Sequence, residues 1–170
     1  MSRNDNFLTR PNSTQKLANY LHGFINDQFV KETEASNNTI PENTIIIRSV
    51  RNYDAFNVPL SEFPLLKVYK NRDVFRKGTF FRTSQGAITY AVSYPQLEIL
   101  PNLLDWVAYQ INAGLLNYAK IEEDLLPMPN NESYSAEYLL SLNELTQTAF
   151  PFLRFNINFK NFCDTEQYEQ

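Results

Sequence analysis

Two hydrophobic periods take turns along this chain, and together they restrict it to helices lying on a sheet. Leu17, Tyr20, Leu21, Phe24, Ile25 and Phe29 recur at spacings of three and four, the mark of one apolar stripe on an amphipathic helix. Asn12 and Ser13 stand before this stripe as candidate caps, with Gln15 in a capping-box position. The helix is predicted to run to about Glu34, where Ser36-Asn37-Asn38 and Pro41 stop it. A second stripe joins Leu100, Leu104, Val107, Ile111, Leu115 and Tyr118, widened by Leu103 and Trp106, with Pro101 in the first turn. Gly114 inside it costs up to about 1 kcal/mol relative to alanine, which predicts a close approach to the sheet.

The other period is two. Ile88, Tyr90, Val92 and Tyr94 alternate with Ala87, Thr89, Ala91 and Ser93, so one face of a strand carries small residues and leaves room for a helix to lie there. Leu153, Phe155, Ile157 and Phe159 alternate with Arg154, Asn156, Asn158 and Lys160, as in a strand with one buried and one wet face. The β-branched run Thr44–Val50 and the stretch Leu65–Lys70 behind Pro64 read as two further strands. Asn71 to Gly78 reads as a charged turn or long hairpin tip, with the return beginning at Phe80-Phe81-Arg82. Residues 134–146 fit a short helix or a strand equally. The predicted fold is α+β: a mostly antiparallel sheet with one long helix packed on it, an N-terminal helix and a long charged β-hairpin. The 170 residues read as a single domain, with a flexible arm at 1–11, a core at 13–160 and a frayed acidic tail from 164 to 170. No internal repeat is visible.

Composition removes several classes of function. The chain is 43% hydrophobic and 20% charged, with four glycines, one histidine and one cysteine, which excludes a zinc site of clustered Cys and His and a disulfide framework. No run approaches the roughly 20 apolar residues that span a bilayer, and Met1–Asn6 lacks the apolar centre of a signal peptide. A cytosolic protein without a membrane partner is expected. The glycosylation-like tripeptides at Asn12, Asn37 and Asn131 are then chance matches in an Asn-rich chain.

Catalytic patterns are equally sparse. His22 lies in the first helix without an identifiable partner, and Cys163 has no paired histidine motif, so a structural or surface role and a passive thiol are expected. Neither a phosphate loop nor a nucleophile elbow occurs. Glu122, Glu123 and Asp124 are consecutive, which suits a solvated loop better than a divalent-ion site. Glu62 and Lys67 illustrate a nuclease-like spacing that is too common to count. No catalytic residue, metal or cofactor is expected.

Charge is distributed unevenly. Residues 45–85 hold eight basic and three acidic groups, whereas 86–170 hold three basic and eleven acidic ones. This asymmetry suits a basic edge of one copy meeting an acidic edge of the next. The densest basic run places Lys67, Lys70, Arg72, Arg76, Lys77 and Arg82 among Tyr69, Phe75, Phe80 and Phe81. Phosphate contact and base stacking are one use for it, although a pI near 5.0 lacks the usual basic excess. Protecting an exposed sheet edge is another.

The segment Phe63-Pro64-Leu65-Leu66-Lys67-Val68-Tyr69, followed by Asn71-Arg72-Asp73, is similar to a Leu-Pro-apolar-x-Val-Tyr strand entry with a polar turn behind it. With the order of elements over about 13–160, the chain resembles the tail terminator and tail-completion proteins of tailed phages. Extra material between Lys120 and Phe150 departs from that pattern. The resemblance implies a non-enzymatic ring, hexameric in that family, which caps the tail tube and joins it to the head. Its implied partners are further copies of itself, tail-tube, sheath and connector proteins, with DNA passing at most transiently. Lys70, Arg72, Arg76, Lys77 and Arg82 are then the expected inter-subunit or partner contacts. A neck or baseplate subunit and a small nucleic-acid-binding module are the alternatives.

Overall fold

The structure, a computed structural model, describes residues 8–9, 11–35, 45–54, 58–78, 82–92, 100–121, 126–127, 134–143 and 148–160. Most of the 1–11 arm, Phe80 and Phe81, Glu122–Asp124, Cys163 and the 164–170 tail lie outside them. In chain order the elements are α1 (Ser13–Ala35), β1 (Ser49–Arg51), a 3-10 turn (Leu60–Glu62), β2 (Leu65–Phe75), β3 (Arg82–Ala91), α2 (Leu100–Ile121), β4 (Leu126–Pro127), β5 (Ser135–Asn143) and β6 (Thr148–Lys160).

The sheet is mixed and has six strands. Its path runs β1-β2-β3-β6-β4, and β5 also pairs with β6. β1 is parallel to β2, and every other pair is antiparallel. The ambiguous residues 134–146 become a strand because β6 offers them a ladder of backbone groups from Asn156 to Thr148. A tertiary partner overrides local preference there.

Registry assigns every strand residue to a face. Leu66 and Val68 of β2 stand beside Tyr90 and Ile88 of β3, which stand beside Leu153 and Phe155 of β6. These six side chains and Ile157 and Phe159 form the floor of the main core. Leu17, Ala18, Leu21 and Ile25 of α1 and Leu104, Val107, Ala108, Ile111, Leu115 and Tyr118 of α2 cover it. Full burial of such a side chain stabilises by about 1.5–3 kcal/mol. Two helices of nearly equal length therefore share the sheet face, where one long helix was expected. They also lie on the large-residue face of β3. The small-residue face, which seemed to leave room for a helix, instead meets Val58 and Phe63 through Ala91 and Leu65.

The helices run antiparallel, since Tyr20 touches Tyr118 and Phe29 touches Trp106 near the opposite ends. Gly114 sits where they come closest. A Cβ there would lie 2.6 Å from Leu21 Cδ2 and 3.3 Å from Phe24 Cδ1, so the close approach is to α1 and not to the sheet.

Asn12 caps α1 by accepting from the Gln15 backbone N–H at 2.9 Å. The reciprocal half of the capping box is not made, because the Gln15 side chain donates to Asn19. The predicted Thr44–Val50 strand shrinks to three residues. The backbone before it is held by side chains: Asn26 both donates to and accepts from Ile47, His22 Nε2 lies 3.2 Å from Ile47 O, and the buried Tyr90 hydroxyl donates to Ile46 O at 2.8 Å. Burial pushes the Tyr90 phenol well above its ordinary pKa. Of the two roles expected of His22, it thus has the structural one.

Candidate functional site

Sequence reasoning placed Asn71–Gly78 in a charged turn or long hairpin tip; the strand continues through Phe75. β2 and β3 pair from Leu65↔Ala91 to Phe75↔Arg82, with a register shift between Lys70 and Arg72. One residue, Asn71, is therefore extra, forming a β-bulge. In a regular strand residues three apart point to opposite faces. The bulge reverses the alternation, so Lys70 and Asp73 both fall on the face of Gly86, Ser84 and Arg82. Gly86 is required opposite the bulge, since a Cβ there would stand 2.0 Å from Tyr69 O and 2.8 Å from Lys70 Cα.

Asp73 is the centre of this arrangement. Lys70 Nζ lies 3.2 Å and Arg82 Nη1 3.5 Å from its Oδ2, and Ser84 Oγ donates to its Oδ1 at 2.5 Å. Desolvation alone would raise the Asp73 carboxyl. The Ser84 hydrogen bond, Lys70 and Arg82 together outweigh it and hold the carboxyl below its usual pKa. Of the five predicted contact residues, Lys70 and Arg82 are thus engaged inside the hairpin. Arg72, Arg76 and Lys77 are exposed. Between them Val74 is 45% and Phe75 64% exposed, Val74 on the open face of the sheet and Phe75 on the helix face by their pairing with Thr83 and Arg82. The exposed apolar pair escaped sequence reasoning because its segment read as a turn.

The edge itself is also unoccupied. β1 covers β2 only at Leu65–Lys67, so among the described residues no strand lies outside Val68–Phe75. At the other end of the sheet, β5 has a strand partner on the β6 side alone among the described residues.

The open face behind the hairpin is polar. Lys67, Thr89, Arg154 and Glu137 form one cross-strand row over β2, β3, β6 and β5. Lys67 Nζ pairs with Asp54 Oδ1 at 2.7 Å, and Arg154 Nη2 lies 3.4 Å from Glu137 Oε2. Thr89 Oγ1 and Arg154 Nε are buried without a hydrogen-bond partner. Asn71, Gln85, Gly86, Asn156, Ile157 and Asn158 line an open hollow of about 310 Å³ beside the bulge. Tyr69, one of the aromatics considered for base stacking, is buried; desolvation and Asp54 raise its phenol pKa against the opposing pull of Arg154. Glu62 pairs with Arg51 at 2.5 Å, so it and Lys67 belong to separate ion pairs.

Among the described residues no group of three His, Cys, Asp or Glu side chains could hold a metal ion. No helix among them is long and apolar enough to cross a membrane. No protein-family model matches the chain, and no curated protein sequence matches it.

Proposed function

We propose that this chain is a structural subunit of a tailed-phage particle, a tail terminator that closes into a ring, caps the tail tube and joins it to the head or neck connector. The observation that carries the reading is the outer end of the long charged hairpin. There Arg72, Arg76 and Lys77 surround exposed Val74 and Phe75 along an edge that no strand covers among the described residues. Surface devices that blunt an edge are charge and bulges, and this edge has both; two exposed apolar side chains at its end work against blunting and favour a partner. The excess of acid in residues 86–170 supplies a complementary charge on another copy. A ring of this kind acts through shape and surface, and no catalytic group, cofactor or membrane partner belongs to it.

Light scattering of the purified protein, alone and with tail-tube protein, tests the reading. A closed oligomer near six copies is expected, either spontaneously or on the tube. Replacing Arg72, Arg76 and Lys77 together by Glu should abolish that oligomer while leaving the circular dichroism spectrum unchanged. A monomer that ignores the tube removes the proposal.

One feature favours a second reading, a nucleic-acid-binding module: Phe75 is exposed among three exposed cations, as in a stacking platform for single strands. Retention of DNA or RNA that falls by about an order of magnitude or more between low and moderate salt would select it.

A further inference from the structure

We infer that copies of this chain join edge to edge, the β5 strand of one copy lying antiparallel on the Val68–Phe75 edge of β2 in the next, so that one sheet continues from subunit to subunit. The inference rests on the ring reading above, because it requires copies to meet.

Strand direction makes the junction feasible. β2 is antiparallel to β3, β3 to β6 and β6 to β5, so β5 runs opposite to β2. A second copy displaced sideways, without being turned over, brings its β5 antiparallel to β2 and keeps both helix layers on the same side. The two edges are alike in length: positions 68–75 on β2 and Ser135–Asn143 on β5. Backbone hydrogen bonds along such an edge supply affinity, and alternate side chains supply choice of partner.

Each face then brings matching chemistry together. On the open face β2 presents Arg72 and Val74, by their pairing with Gln85 and Thr83. On that face β5 presents Glu137 and Leu139, beside Arg154 and Phe152. In the antiparallel register that sets Val74 opposite Leu139, Phe75 falls opposite Tyr138, and Arg76, one position beyond the end of β2, falls opposite Glu137. On the helix face β2 ends in exposed Phe75, and β5 carries Tyr138, itself 53% exposed, opposite Leu153. Burial raises the Tyr138 phenol, and the Asp105 carboxylate and the exposed Tyr109 of α2 raise it further. Aromatic cross-strand pairs of this kind stabilise sheets. The alternative union, β2 against β2 about a two-fold axis, would set Arg72, Arg76 and Lys77 of both copies near one another, and like charges across strands oppose pairing. A β5-on-β2 contact is heterologous, so its repetition closes into a ring when the rotation permits.

Cysteine cross-linking tests the pairing. In a Cys163→Ser background, one chain carries Val74→Cys and a second, differently tagged chain carries Leu139→Cys; circular dichroism confirms that each folds. In the register above these positions stand opposite, and a slip of two residues leaves them diagonal, about 5–8 Å apart, within reach of a short bismaleimide. The expected result is a cross-linked heterodimer in the mixture that is lost when either cysteine is omitted. Homodimer from the Val74→Cys chain alone overturns the inference in favour of two-fold β2 pairing. Oligomers seen by light scattering that give no heterodimer overturn the edge pairing and leave the ring reading standing. Monomers in the presence of tube protein overturn both.

Discussion

At the scale of single residues, the bulge is the feature on which the hairpin depends. Gly86 is needed because the Tyr69 carbonyl occupies the place of a Cβ, and backbone has little freedom to retreat. Gly86→Ala should destabilise the protein by about 3 kcal/mol, the upper range for overpacking, seen as a lower urea midpoint. Gly114→Ala should cost less, about 1 kcal/mol, because its neighbour is a leucine methyl and alanine regains helix propensity. Asp73 carries the pH dependence of the same region. Its folded pKa lies below the unfolded value, so the stabilisation is complete above about pH 4, where an unfolded aspartate titrates, and is lost as pH falls through the folded value. Asp73→Asn should lower stability at pH 7 by about 1 kcal/mol, given the partial exposure of its ion pairs. The difference between variant and parent should shrink toward pH 3 in thermal melts followed at several pH values. None of this was legible beforehand, since Lys70-Asn71-Arg72-Asp73 spells a solvated turn until Ser84 and Arg82 are brought across from β3.

At the scale of elements, α1 and α2 were readable from their stripes, and β6 from strict alternation, because each buries one face against a continuous apolar surface. Their ends were readable where a cap marks them. Asn12 accepts from the Gln15 N–H, from Thr14 Oγ1 at 2.8 Å and from Asn52 Nδ2 at 3.3 Å, tying the start of α1 to the chain beyond β1. Asn12→Ala should cost about 1–2 kcal/mol, and Asn12→Asp should retain most of the cap; urea titrations of the two variants separate capping from any loss of side-chain volume. The strands defined by pairing alone were not readable. β5 takes its form from β6, and Ile45–Arg48 is kept out of the sheet by Asn26, His22 and Tyr90. The Asn26, His22 and Tyr90 contacts link residues 21 to 44 positions apart, beyond the reach of any local pattern, and the β5–β6 pairs acquire their energy only when the two segments lie side by side.

At the scale of the whole molecule, one sheet ends in two dissimilar edges, a basic one at β2 and one at β5 that carries Glu137 and Tyr138. Assembly through these edges should combine screened charge with unscreened backbone hydrogen bonds. Raising salt to about 1 M cuts the screening length to about 3 Å, so the oligomer mass measured by light scattering at fixed protein concentration should fall. The Arg72→Glu, Arg76→Glu, Lys77→Glu variant should already sit at the monomer mass at low salt, so that raising salt lowers it no further.

The amino-acid sequence by itself determined the class of fold, both helices, the buried face of β6, and the concentration of positive charge between residues 45 and 85. These depend on periodicity and composition, which are local. Only the tertiary structure decided which sheet face the helices cover, that 135–143 is a strand, that Asp73 engages Lys70 and Arg82, and that Val74 and Phe75 stay exposed on an edge no described strand covers. Each of those depends on strands laid side by side, and strand pairing, burial and ion pairing acquire their energies only once the chain has brought the partners together.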